Sequence, residues 1–174
     1  ADNRLEARYK KPAAKAAEDQ RRLTIDNNAL TVPDSERKKN VNLRMKGIGQ
    51  FSLHPGDKDA GNKACFEAAE KQANDFNSEH HKNRTPKLNG PSQAIQIAYQ
   101  EDKNGRLKAD PTQAKIAREY IDKCLDKKLP VLVGTSHEDG RINNDKMTDH
   151  FVTIHGRGYD PDGKLFYRYK DPGD

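Results

Sequence analysis

The apolar residues of this chain are concentrated in its second half, which limits where a hydrophobic core can form. Apart from alanine, residues 1–60 contain 12 apolar residues, whereas residues 110–170 contain 19. The whole chain has 174 residues, of which 34% are charged and 32% hydrophobic, so it is long enough for one domain with an economical core. We therefore expect residues 1–40 to be an extension or linker, with one short helix after Pro12, and residues 41–174 to form the domain.

Three segments have the spacing of apolar residues that is typical of amphipathic helices. The first, residues 61–76, has Asn62 as its expected N-cap, and the second, residues 91–100, has Pro91 near its start. The third begins with Asp110 as N-cap and Pro111 in the first position. The apolar stripes of the first and third helices consist of Phe66, Ala69, Ala73 and Phe76, and of Ile116, Ala117, Tyr120, Ile121, Cys124 and Leu125.

After the third helix, the spacing changes to the alternation that is typical of strands. "PVLVGTS" is a short β-branched run, "HFVTIHG" is a second strand, and "KLFYRYKD" is a third, which the turn "DPDG" joins to the second. Helices followed by a small antiparallel sheet make an α+β protein. We expect the N-terminal helices to pack on this sheet.

The formal net charge is +5 and the sequence pI is about 9.1, values that suit an anionic partner. Basic and acidic residues are interleaved almost everywhere, however, which is typical of an ordinary lysine-rich surface. The chain has neither the aromatic and basic motif of an RNA-binding sheet nor zinc-finger spacing, so we expect no nucleic-acid partner. Since no window approaches 18 consecutive apolar residues, we also expect no membrane span.

The two cysteines of the chain have different surroundings. Cys124 lies on the apolar stripe of the third helix, where a buried thiol acts as a small hydrophobic side chain. If Asn62 is the N-cap, Cys65 is the third residue of its helix, and the free N–H groups and the helix dipole there favour a thiolate. Cys65 is therefore a candidate nucleophile, with packing beneath the first helical turn as the alternative.

His150 lies where a polar segment gives way to the strand "HFVTIHG", and it is the candidate base for a cysteine nucleophile. If "DPDG" closes the hairpin tightly, His150 faces Gly173, and Asp171 is a diagonal neighbour on the same face. A bulge in "GRG" would bring Asp171 directly opposite His150. Asp149 ranks second as the group that orients the imidazole, because its side chain points to the other face of a strand.

This combination resembles the papain-like cysteine hydrolase superfamily, in particular the bacterial branch that includes the bacteriocin-processing peptidases. The similarity covers roughly residues 60–174 and depends on "PVLVGTS", "DHFVTIHGRGYD" and "LFYRYKDPGD". The resemblance implies a papain-like fold with Cys65 as nucleophile, His150 as base and Asp171 as the orienting carboxylate. "NKACFEAA" lacks the usual sequence around the nucleophile.

The family also places a glutamine a few residues before the cysteine, as an oxyanion donor. In this chain Asn62 lies three residues before Cys65, and Gln50 lies fifteen residues before it. Neither spacing matches the family pattern. The candidate donors are therefore the backbone N–H of Cys65 and the side chains of Asn62 and Gln50.

Metal-dependent catalysis is the competing chemistry. His80 and His81 are adjacent and point apart, His150 and His155 fall on opposite strand faces, and His-Glu-x-x-His is absent from the sequence. The polar loop between Ser136 and Thr148 contains oxygen ligands that suit calcium, and loops of this kind also shape substrate clefts. We expect neither a metal nor another cofactor.

The resemblance implies cleavage of an amide bond through a thioester intermediate. We expect a secreted bacterial effector or toxin that acts on peptidoglycan peptide, reaches the bacterial periplasm and has a cognate immunity protein. A peptidase that acts on proteins and a glutamine deamidase are alternatives with the same site. A catalytically inactive binding module, in which Cys65 is structural and the basic surface binds an acidic partner, is an alternative of a different class.

Overall fold

The computed structural model describes residues 21–25, 30–82, 94–101, 107–135 and 150–173. It is a mixed helix and sheet protein in which the antiparallel sheet is small, as expected for an α+β protein. The expected helix after Pro12, the loop between Ser136 and Thr148, and Asp149 lie outside the described residues. The helices are α1 (Gln50–Leu53), α2 (Lys58–Lys63), α3 (Cys65–His80) and α4 (Pro111–Asp126). The strands are β1 (Arg22–Leu23), β2 (Val41–Asn42), β3 (Ala98–Glu101), β4 (Leu107–Ala109), β5 (Val131–Thr135), β6 (His150–Tyr159) and β7 (Leu165–Lys170).

The main sheet is organised around β6, which is ten residues long. β7 pairs with one edge of β6 through the turn "DPDG", in which the Gly163 N–H donates to the Asp160 carbonyl at 2.9 Å. β5 and β2 pair with successive parts of the other edge, and β1 pairs with the far edge of β7. All four pairings are antiparallel, and most residues of β6 are buried.

The helices α3 and α4 pack on opposite faces of this sheet. Ile154 belongs to the hydrophobic core with the buried residues of α4. Its neighbour Thr153 points the other way and donates its hydroxyl to the carbonyl of Ala69 in α3 at 3.1 Å. The core on the α4 face includes Leu23, Ile25, Ala114, Ala117, Ile121, Leu125, Val131, Val152, Ile154, Leu165, Tyr167 and Tyr169.

A register shift interrupts the pairing of β6 with β7 between Ile154 and Gly156, at the start of "GRG". Ile154 pairs with Tyr169, but Gly156 pairs with Arg168, so β6 contains one extra residue. Because of this extra residue, the side chain of Arg157 points to the α4 face, the same face as Ile154. This bulge does not bring Asp171 directly opposite His150. The pairing of Thr153 with Lys170 leaves Asp171 diagonal to His150, as a tightly closed hairpin predicts.

The buried side chain of Arg157 links the sheet to α4 through ion pairs. Its side chain is fully buried and donates to Asp122 at 3.0 Å, to Asp126 at 2.9 Å and to the Lys39 carbonyl at 2.7 Å. The hydroxyl of Tyr167 also donates to Asp122, at 3.1 Å. Asp122 therefore accepts hydrogen bonds from two neighbouring strands.

Two helix predictions need correction. The expected helix over residues 61–76 is two helices, α2 and α3, with Ala64 between them at φ −93° and ψ 13°. Ala64 is thus the N-cap of α3, whereas Asn62 lies inside α2. Ala69, Ala73 and Phe76 are buried as expected, but Phe66 is 41% exposed.

The expected helix over residues 91–100 is wrong for its second half. Ala98–Glu101 form β3, which pairs with β4, and residues 94–97 belong to no helix. Ile95 and Ile97 pack against the core instead of forming a helical stripe. Pairing with a later segment, together with this packing, outweighed the local preference for a helix.

The helix that was expected after Asp110 is confirmed. The Asp110 carboxylate accepts hydrogen bonds from the backbone N–H groups of Thr112 at 2.8 Å and Gln113 at 3.1 Å, and Pro111 begins α4. Ala117, Ile121 and Leu125 are buried as the stripe predicts. Two stripe residues, Ile116 and Tyr120, are instead partly exposed.

The domain boundary that we expected at Val41 is also too late in the chain. Residues 22–23 form a strand of the main sheet, and the side chains of Leu23 and Ile25 are 1% and 2% exposed within the core. Thr31 forms a bridge with Lys164. Leu23 and Ile25 are therefore part of the core, although Leu30 in the same segment is 42% exposed.

Asp122→Ala should destabilise the protein by about 3–5 kcal/mol, because it leaves the buried Arg157 charge without one of its partners. Asp75→Ala is the control, since Asp75 forms an exposed ion pair with Lys71 at 3.0 Å, whose loss should cost about 0.5 kcal/mol or less. Urea denaturation measures both free energies of unfolding. Equal stability of the two variants would contradict this role of Asp122.

Candidate active site

Cys65 is the first residue of α3. Its backbone N–H has no intrahelical acceptor, and the positive end of the helix dipole lies beside its side chain. The thiol is half-buried and is not in a disulfide. Cys65 thus lies at a helix N-terminus as expected, but in the first helical position rather than the third, because α3 begins after Ala64.

His150 and Asp171 lie at the ends of neighbouring strands. His150 begins β6 and Asp171 follows the last residue of β7. His150 Nε2 lies 2.7 Å from Asp171 Oδ1, and both side chains are buried. Because an ionised carboxylate only accepts, the Nε2–H donates to Asp171, and this fixes the tautomer of a neutral imidazole.

The same Asp171 oxygen accepts a second hydrogen bond, from the backbone N–H of Gly173 at 2.7 Å. Burial raises the pKa of Asp171, but the hydrogen bond and charge of His150 outweigh this effect, with help from Gly173 and Arg21, so that the pKa is lowered overall. Asp171 is therefore ionised at neutral pH. An ionised Asp171 is a fixed acceptor for the imidazole.

Cys65 is hydrogen-bonded to His150. Since Nε2 is engaged by Asp171, Nδ1 is the ring nitrogen that remains for the thiol. Burial opposes ionisation of Cys65, but the hydrogen bond and positive charge of His150 lower the pKa of the thiol overall. The backbone N–H groups of Phe151 and Phe66 lower it further.

The pKa of the His150 imidazole shifts in the opposite direction to that of the Cys65 thiol. Burial favours the neutral ring, but the hydrogen bonds to Asp171 and Cys65 and their negative charges raise the pKa of His150 to about 9. A lowered thiol pKa and a raised imidazole pKa together favour a thiolate and imidazolium pair. This pair combines a ready nucleophile with a proton donor.

Two contacts between α3 and β6 hold the thiol beside the imidazole. The rings of Phe66 and Phe151, which follow Cys65 and His150 directly, meet edge to face with their centroids 5.0 Å apart. The hydrogen bond from Thr153 to the Ala69 carbonyl lies about one helical turn farther along α3. The relative position of the two reactive groups therefore depends on side-chain packing between different elements.

The two side-chain candidates for an oxyanion donor are placed very differently. Asn62 is exposed on α2, and the structure does not bring it into this group. Gln50 is 7% exposed at the start of α1, and its backbone N–H donates to the carbonyl of Pro172, next to Asp171, at 2.7 Å. α1 also contacts α3. Gln50 is therefore the better-placed side chain of the two.

Sequence reasoning missed Arg21. Its Nη1 lies 3.8 Å from Asp171 Oδ2, and the Arg21 side chain is 10% exposed. The only sequence signal was the alternation in "RLTI", which is too short to predict a strand or its register. The Gly173 N–H was missed as well, because a backbone donor has no signature in the sequence.

The other histidines do not form a metal centre in the described part of the chain. His80 Nδ1 lies 3.0 Å from the Phe76 carbonyl, and His81 Nε2 lies 3.0 Å from the Lys128 carbonyl. Within residues 21–25, 30–82, 94–101, 107–135 and 150–173, no group of three or more His, Cys, Asp or Glu side chains is arranged to hold a metal ion. The loop considered for calcium lies outside these ranges.

Comparison of the chain with protein-family models, curated proteins and solved structures gives no match. Among the described residues, no helix is both long enough and apolar enough to cross a membrane.

Cys65 should react with iodoacetamide near neutral pH about tenfold faster than Cys124 or more, because each unit of pKa changes the thiolate fraction about tenfold. Burial raises the pKa of Cys124, whereas His150 lowers that of Cys65, so the reaction of Cys65 should persist to lower pH. Mass spectrometry of labelled peptides measures both rates. Cys65→Ser isolates the rate of Cys124, and equal slow labelling of both cysteines would favour a structural Cys65.

Proposed function

We propose that this protein is a papain-like cysteine hydrolase that cleaves an amide bond with Cys65, His150 and Asp171. The main support is the buried 2.7 Å hydrogen bond between His150 and Asp171, in a histidine that also hydrogen-bonds the thiol at the start of α3. Three side chains from distant parts of the sequence meet in the order nucleophile, base and orienting group. Nucleophilic acyl transfer requires this order.

In the proposed mechanism, the Cys65 thiolate attacks the carbonyl carbon of the substrate amide. The carbonyl π bond breaks as the carbon–sulfur bond forms, and the oxygen becomes an oxyanion. The His150 imidazolium then donates its Nδ1 proton to the amide nitrogen, the carbon–nitrogen bond breaks, and an amine leaves. The product on the enzyme is a thioester at Cys65.

Water completes the cycle. Neutral His150 accepts a proton from water as the oxygen attacks the thioester carbonyl, and collapse of the intermediate releases a carboxylic acid and the Cys65 thiolate. Asp171 holds the ring so that Nδ1 faces the reacting atoms in both halves of the reaction. The Cys65 N–H at the start of α3 is the proposed backbone donor to the oxyanion, with the Gln50 side chain as the second donor.

For the substrate we propose a peptide amide of bacterial peptidoglycan, cleaved by a secreted effector or toxin that is delivered to the periplasm and neutralised by an immunity protein. The support is the resemblance of residues 60–174 to papain-like bacterial hydrolases. Incubation with purified muropeptides should release new amines that mass spectrometry detects. Cleavage of a protein instead would identify a peptidase, and ammonia release without chain cleavage would identify a glutamine deamidase.

Cys65→Ala should lower the turnover of the cleaved amide by about 10³-fold or more, since no other group in the mechanism replaces the nucleophile. Cys124→Ala should keep activity close to wild type, because Cys124 packs against the core on α4. Mass spectrometry of muropeptide products measures turnover, and circular dichroism checks folding. A folded Cys65→Ala variant with full activity would exclude Cys65 as the nucleophile.

Gln50→Ala should lower kcat by about 10²- to 10³-fold if its amide stabilises the oxyanion. Asn62→Ala should have kcat near wild type, because Asn62 is exposed on α2. Gln72→Ala is the control for loss of a buried amide, since Gln72 is 1% exposed and donates to the Ile48 carbonyl at 2.9 Å. A kcat for Gln50→Ala no lower than that for Gln72→Ala would assign Gln50 a packing role.

A further inference from the structure

The two carboxylate oxygens of Asp171 have different partners. Oδ1 accepts from His150 and from the Gly173 N–H, both at 2.7 Å. Oδ2 faces the guanidinium of Arg21, whose Nη1 lies 3.8 Å away. The side chains of Asp171 and Arg21 are 2% and 10% exposed, so little water screens the pair. The Arg21 guanidinium thus faces Oδ2, whereas the imidazole is hydrogen-bonded to Oδ1.

The position of Arg21 is set by the sheet. The Tyr169 N–H donates to the Arg21 carbonyl at 3.3 Å, and the pairing continues with Arg22 opposite Arg168. Arg21 is therefore opposite Tyr169, and Asp171 is its diagonal neighbour on the same face. Leu23, with 1% of its surface exposed, anchors β1 in the core. The guanidinium thus reaches Asp171 from a strand that is fixed to β7.

We propose that Arg21 is a positioning residue of the active site, which holds Asp171 in the orientation that fixes His150, and that β1 thereby completes the site. This inference rests on the proposed function. An interaction with Oδ2 restrains rotation of the carboxylate about its Cβ–Cγ bond, so Oδ1 stays directed at Nε2. Charge attraction at this distance also favours the ionised carboxylate, which in turn favours the imidazolium and the Cys65 thiolate.

Several groups influence this carboxylate besides Arg21. His150 approaches from β6, the Gly173 N–H from the residues after β7, and Tyr169 from β7 itself, where burial and the charge of Asp171 raise the pKa of Tyr169 to about 12. Cys65 on α3 acts through His150. Removal of Arg21 should therefore weaken the site without abolishing the hydrogen bond between His150 and Asp171.

With Arg21 in this role, the N-terminal segment is part of the site rather than an extension or linker. A truncation at Val41 removes Arg21 together with Leu23 and Ile25, which belong to the core. Such a truncation should reduce activity and stability together, whereas removal of an inhibitory segment would increase activity. Point substitutions at Arg21 separate the effect on the site from the effect on the core.

Arg21→Gln should move the pH midpoint of Cys65 alkylation by iodoacetamide to higher pH, with a rate at pH 6 about three- to tenfold below wild type. Arg21→Lys keeps the positive charge and should restore part of the rate. Arg22→Gln is the matched control from the same strand, because Arg22 is exposed and lies over the Phe166 ring at 3.9 Å, away from Asp171. Its alkylation profile should equal that of wild type.

Hydrolysis of purified muropeptides provides the second measurement. Arg21→Gln should lower kcat by about tenfold with KM nearly unchanged, because misplacement of a catalytic group affects the reacting geometry rather than substrate binding. Loss of stability alone would lower the folded fraction, which thermal unfolding measures, without moving the alkylation midpoint of the folded protein.

The outcomes distinguish the two proposals. If Arg21→Gln and Arg22→Gln have the same alkylation midpoint and the same kcat, Arg21 is not a positioning residue, whatever the activity of the wild type. If the midpoint moves only in Arg21→Gln but the wild type hydrolyses no muropeptide, the positioning role stands and the proposed substrate is wrong. If Arg21→Gln does not fold, Arg21→Met removes the charge and keeps an apolar stem: an alkylation midpoint at higher pH than wild type supports the proposal, and a midpoint equal to wild type overturns it.

Discussion

The pairing of β6 with β7 is the interaction on which the rest of the structure depends. It places His150 at the start of one strand beside Asp171 at the end of the other, with the 2.7 Å hydrogen bond between them. β5 and β2 use the remaining edge of β6, and β1 uses the remaining edge of β7. A change in this register would separate the imidazole from its carboxylate, because the side chains of a strand alternate between faces.

The register shift between Ile154 and Gly156 lies in the same pairing, so the strand that carries His150 also contributes to the core. Because β6 has one extra residue at the register shift, Arg157 faces α4 beside Tyr167, and both side chains share Asp122. On the other face, Thr153 and Phe151 contact α3, whose first residue is Cys65. The strand thus fixes α4 with buried charges on one side and α3, with its thiol, on the other.

The sequence predicted those helices and strands in which the spacing of apolar residues and the capping or turn signals agree. The helix after Asp110 was predicted because capping, proline and apolar spacing agree, and the hairpin around "DPDG" was predicted because alternation and turn chemistry agree. The strand at Ala98–Glu101 and the break at Ala64 were not predicted. The first depends on pairing with β4, and the second lies before Phe66, the first residue of the apolar stripe, where no proline or capping side chain marks a new helix start. The core role of Leu23 was missed because a two-residue strand has no measurable period.

The sequence by itself determined the chemical groups and their local settings. A histidine lies at the start of a strand and an aspartate after the next strand, because alternation and turn signals act over a few residues. The helix that contains Cys65 was also expected from its apolar spacing, but its first residue was not, because Ala64 carries no capping side chain. Only the tertiary structure decided that these groups meet, that Gln50 rather than Asn62 lies beside the end of β7, and that Arg21 faces Asp171. These placements depend on strand register and on the packing of α3 against β6, which join residues far apart in the chain, and such contacts leave no pattern in any short stretch of sequence.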